Sequence, residues 1–114
     1  MNIKIITEPI TRAEALEIGK EFYTEMVKGV VDLERGVIAL GGEYHMDANE
    51  VLIGDGSKQE MVWGFNVYPS IFDESWIEYT SLINIRPQVH NRGMEVESPE
   101  IREMMRDVIT KLII

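Results

Sequence analysis

Apolar residues follow two rhythms along this chain. In residues 2–7, NIKIIT, β-branched side chains fall on both sides of an extended backbone, which predicts an interior strand. The spacing then lengthens: Ala15, Ile18, Phe22 and Met26 recur at three- and four-residue steps behind Thr11 and Glu14, which stand at capping-box distance, so a helix is predicted over about 12–26. Two short apolar runs flank Glu34-Arg35-Gly36, a hairpin signature in which Gly36 supplies the positive φ of the turn. Asp47 and Glu50 repeat the capping-box spacing ahead of Val51, Leu52 and Ile53, predicting a helix of scarcely two turns that ends at Gly54 or Gly56.

Period-two alternation returns in MVWGFNVYP. Met61, Trp63, Phe65 and Val67 fall on one side, and Val62, Gly64, Asn66 and Tyr68 on the other. After PSIFDES the alternation continues, with Ile77, Tyr79, Ile83 and Ile85 opposite Glu78, Thr80, Leu82, Asn84 and Arg86. The two segments should pair as a hairpin, gathering Asn66, Tyr68, Glu78, Asn84 and Arg86 on one face. Ser98-Pro99 opens a last helix with an apolar stripe from Ile101 to Ile113.

The predicted order is therefore β-α-β-β-α-β-β-α. It corresponds to an α+β fold in which a mostly antiparallel sheet of four or five strands carries two long helices on one face and leaves the other partly wet. Without repeats, low-complexity tracts or linkers, residues 1–114 are expected to form a single domain.

Composition narrows the functions. Twenty acidic residues against eleven basic ones give a formal charge of −9, and no basic patch offsets it, which argues against nucleic acid and anionic lipid as partners. The absence of cysteine removes disulfides and thiolate ligands and is compatible with a cytoplasmic location. The N-terminal apolar run is broken by Glu8, too short for a signal-peptide core or a membrane span, so a soluble, unprocessed chain is expected.

Two groups of residues offer candidate chemistry. In GGEYHMDAN, residues 41–49, Glu43, His45 and Asp47 occupy alternate positions, so an extended backbone would project all three to one side, as a small metal site or an acid/base enzyme needs. Helix capping by Asp47 competes for the same oxygens, and no cofactor is expected. GDGSKQE, residues 54–60, has glycines and a lysine but lacks the spacing and the strand-to-helix context of a phosphate loop, which makes it a turn. The second group is the polar hairpin face. Arg86 offers a planar fork for an anion, Asn84, Asn66 and Tyr68 offer neutral hydrogen bonds, and Arg92 and His90 come from the adjoining loop. The expected function is thus a binding or interaction domain that holds a small anionic ligand or an acidic partner segment at Arg86. Any part of the last helix's stripe that the sheet cannot cover would suit a homodimer contact.

The segments GSKQE (56–60), WGFNVYP (63–69), WIEYTSLINIRP (76–87) and NR (91–92) together resemble a family of short prokaryotic proteins known only as a domain of unknown function. The resemblance runs over nearly the whole chain. It implies a stand-alone cytoplasmic domain and brings no activity, cofactor or site residue with it.

Overall fold

The computed structural model describes all 114 residues. Five strands, β1 (Lys4–Ile6), β2 (Val27–Asp32), β3 (Val37–Leu40), β4 (Val62–Val67) and β5 (Ile77–Glu78), form one antiparallel sheet in the order β1-β3-β2-β4-β5. Helices α1 (Arg12–Gly19), α2 (His45–Gly54) and α3 (Pro99–Leu112) complete the α+β architecture in the predicted order.

Alternation along the strands sorts the side chains into two cores. Val27 and Val31 of β2, Ile38 and Leu40 of β3, and Trp63, Phe65 and Val67 of β4 join Ala15 and Ile18 of α1 and Met105, Ile109 and Leu112 of α3 on one face. The intervening residues Val30, Ala39 and Val62 meet Ala48 and Leu52 of α2 on the other. The second face is therefore covered over much of its area, where a wet face was expected, because α2 brings apolar residues at four-residue spacing to lie across it. The same cover explains β1. Ile6 faces the first core while Ile3 and Ile5 pack on the second, so this strand is apolar on both sides although it lies at the edge of the sheet.

Capping and close packing set the helix limits. Thr11 and Glu14 form the predicted capping box, but α1 stops at Gly19 rather than running to 26. A Cβ at Gly19 would lie 2.8 Å from both the Met26 carbonyl oxygen and the Val27 side chain, so at this point the helix end already touches the start of β2 and the chain must turn back. The β2–β3 turn closes as expected. Gly36 adopts φ 67°, and the buried Asp32 accepts the backbone N–H groups of Glu34 and Arg35 at 2.9 and 3.0 Å.

The largest departure concerns β5. Only Asn66↔Glu78 and Val67↔Ile77 pair with β4, after which the chain leaves the sheet through a 3-10 turn at Leu82–Asn84. Gly64 lies at this departure. A Cβ there would come within 2.5 Å of the Ser81 Cβ, so the crossing segment sits directly on the backbone of β4.

Candidate functional site

Where β5 leaves, the outer edge of β4 loses its strand partner, and buried backbone groups without partners cost free energy. Side chains replace the strand. Asn84, fully buried, accepts the Gly64 N–H at 2.8 Å through Oδ1 and donates Nδ2 to the Gly64 carbonyl at 3.0 Å. Two residues on, Arg86 donates Nη1 to the Glu60 carbonyl at 3.3 Å and Nη2 to the Val62 carbonyl. Residues 84 and 86 both reach β4, but by way of the 3-10 turn at Leu82–Asn84 and not by strand alternation, and what they meet is the flank of β4 and not the solvent-facing surface of a long hairpin. Asn91 closes the return loop by donating to the carbonyls of Asn84, Gly93 and Glu95 and exchanging two backbone hydrogen bonds with Arg86.

The five residues expected around one anion are consequently distributed over four places. Asn66 and Tyr68 come together on the second sheet face, where both donate to Glu78 Oε1, at 3.2 and 3.1 Å. Asn84 is enclosed against Gly64. Arg92 is exposed and its backbone N–H is held by Glu97. Arg86 lies apart from all of these, its guanidinium stacked 4.2 Å above the Trp63 ring.

Glu43, His45 and Asp47 do not share a side either. An extended backbone was the premise, but the helix begins at His45, which turns these positions about its axis. Asp47 is not the N-cap that its spacing to Glu50 suggested: the helix starts earlier, behind Tyr44, and Asp47 in its first turn reaches back to accept the backbone N–H groups of Glu43 and Tyr44 at 3.1 and 2.9 Å. No group of three His, Asp or Glu side chains is arranged to hold a metal ion. His45 is buried and donates Nε2–H to the Phe65 carbonyl at 2.8 Å, which fixes its tautomer and ties α2 to β4. Burial pushes its pKa down to about 4. The nearby Lys28 charge acts in the same direction, while hydrogen bonding toward Phe65 and Asn66 opposes it.

Two concavities flank the sheet. A groove of about 530 Å³ lies over Trp63 between α3 and residues 86–89, with an apolar wall that includes Leu33, Met61, Ile101 and Met104 and with Arg86 on its floor. A second hollow of about 520 Å³ lies on the opposite face, between the start of α2 and residues 80–82. Arg86 is only 7% exposed, and it forms no ion pair within 4 Å. Burial lowers its pKa from the ordinary guanidinium value, against the opposing charge of Glu60.

Ile101 and Met104 of this wall fall within the span of the apolar stripe expected of the last helix. A signal lay in α3, because Met104 and Met105 are about 100° apart around a helix and cannot both face one core. Met105 is buried and Met104 half exposed, so Ile101 and Met104 form a second stripe beside the packed one.

The molecule is thus an α+β domain with an open antiparallel sheet and a ligand-sized groove containing a buried cation. Residues 4–112 match the model of a family described as protein of unknown function (DUF5674), and the chain belongs to that family. No curated protein and no solved structure matches it significantly.

Proposed function

We propose that this protein is a small-ligand-binding domain, and that the groove over Trp63 holds an anion with an apolar body. The observation that carries the reading is Arg86, a buried cation on the floor of an apolar groove with no carboxylate in ion-pair contact and only the more distant charge of Glu60 to offset it. Burying an unpaired charge is costly, and an incoming carboxylate would relieve that cost where the low dielectric strengthens the attraction. Stacking on Trp63 and two backbone carbonyls hold the guanidinium in place, so little ordering remains for a ligand to impose. Leu33, Met61, Ile101 and Met104 supply the apolar wall, and the methionines can adapt to the shape of the ligand body. In this reading Arg86 is the anchor, with Trp63 and the groove in place of Asn84, Asn66, Tyr68 and Arg92.

Benzoate and octanoate titrations followed by backbone amide shifts test the proposal. Both should perturb residues 86–89 and 101–104 saturably. Arg86→Lys keeps the charge but loses the fork and the flat stacking surface, and should weaken binding about tenfold or more. Val89→Asp at the rim leaves the carbonyl contacts of Arg86 intact and should also weaken it, while Arg92→Ala should bind as wild type does. Absence of shifts in the groove, or equal binding by wild type and Val89→Asp, would overturn the assignment.

A further inference from the structure

β1 ends the sheet on the side away from β4 and β5, and its hydrogen-bonding phase follows from its neighbours. Gly41 donates its N–H to the Lys28 carbonyl at 2.9 Å, so Gly41 and Ala39 turn their backbone groups toward β2, and Ile38 and Leu40, in the alternate positions, turn theirs toward β1. Lys4 and Ile6, which stand opposite Leu40 and Ile38, therefore use their backbone groups on β3. Ile5 directs its N–H and carbonyl outward, where no strand follows. Such an edge is a template for another extended chain, and neither a proline nor a bulge within β1 blunts it.

The side chains beside this edge select the chain that fits. On the face of the larger core, a notch of about 350 Å³ opens between β1 and α1, over Ile6, Ile10 and Ile18 and beside Glu14 and Glu17. Glu17 holds only the exposed Lys20, at 3.2 Å. Lys4 lines the same notch and forms no ion pair within 4 Å. Antiparallel pairing of two copies of β1 about Ile5 sets Lys4 of each opposite Ile6 of the other, on this face. The lysine stem then covers Ile6 and its ammonium reaches the carboxylates of Glu14 and Glu17 of the second copy, an exchange that two-fold symmetry makes twice. On the other face Ile3 and Ile5, half-buried in the single chain, lie across the seam from Thr7 and Ile5 of the second copy. A slip to the pairing centred on Lys4 would oppose the two lysines directly and is disfavoured by their like charge. We infer that β1 is an interaction edge for a second copy of this chain, added antiparallel about Ile5 to make one continuous sheet, with Lys4 of each copy seated in the notch of the other. The formal charge of −9 on each chain opposes association in general, so the lysine-to-glutamate contacts across the seam are what this pairing needs.

Sedimentation of the full chain should show a dimer in equilibrium with the monomer. The Ile5 amide should exchange slowly with deuterium in the dimer and quickly on dilution, while Lys4 and Ile6, bonded to β3, change little. Lys4→Glu and Glu17→Lys, both at exposed positions, should each weaken the dimer about tenfold or more with the circular dichroism unchanged. The two substitutions together in one chain should restore much of the affinity, since the exchanged charges meet again across the seam. A chain that stays monomeric at millimolar concentration, an Ile5 amide that exchanges quickly within a dimer, or a double variant no better than the single ones would overturn the inference. Each of these outcomes leaves benzoate binding at residues 86–89, which tests the Trp63 groove, unaffected.

Discussion

At Gly64 the absence of a side chain is a steric requirement imposed by residues far along the chain. Gly64→Ala would place its Cβ 2.5 Å from the Ser81 Cβ and 2.6 Å from its Oγ, and should cost about 1–3 kcal/mol by urea denaturation. Ser81→Gly in the same chain should recover part of that loss, giving a favourable coupling in a double-mutant cycle. His45 gives a second residue-level test. The unfolded imidazole titrates near 6.5 and the folded one near 4, so between these values the unfolded state binds a proton that the folded state refuses. Its contribution is therefore fully present above about pH 6.5 and is lost as pH falls toward 4, a change of roughly 3 kcal/mol. Urea midpoints measured across that window should fall with decreasing pH, and more gently in His45→Gln.

Among the elements, α3 shows most clearly what periodicity reveals. Ile109 lies at the centre of the stripe and is fully buried. Ile109→Ala should cost about 2–5 kcal/mol, and Ile109→Asp should prevent stable folding, because its charge would have no partner in the core. Asp107→Ala on the outer side should stay within about 0.5 kcal/mol. Circular dichroism melts of the three variants distinguish these outcomes. The element order, the capping box at Thr11 and the turn at Gly36 were legible because each depends on a few neighbouring residues. The early end of α1, the departure of β5 and the cover that α2 provides were not, since each depends on contacts between distant segments: Gly19 against Met26, Ser81 against Gly64, and Ala48 and Leu52 against the sheet. Arg86 shows both sides of this. Its place in a polar segment after β5 could be read from the sequence, but not the 3-10 turn that brings it and Asn84 to the flank of β4.

Across the whole molecule, the two cores share the same three central strands, so neither can be dismantled without exposing the other. Both tryptophans belong to the larger core. Tryptophan emission and far-ultraviolet circular dichroism should therefore report coincident urea transitions, as one cooperative unit requires. Separate midpoints would show that α2 detaches from the second face before the larger core opens. No helix is long and apolar enough to cross a membrane.

The replacement of a strand by Asn84 has a consequence for solvent access to the backbone. In a regular sheet, amide protons beside one another are released to solvent together, because one strand must separate to free them all. The Gly64 proton is held by a single side-chain amide instead, so its exchange with deuterium depends on the packing of one loop residue. Asn84→Ala should accelerate exchange at Gly64 by orders of magnitude while Phe65, whose residue pairs with Gly29 on the opposite strand, slows or quickens only with global stability. The outer edge of β4 would then have, at Gly64, one latched position open to exchange on its own timescale.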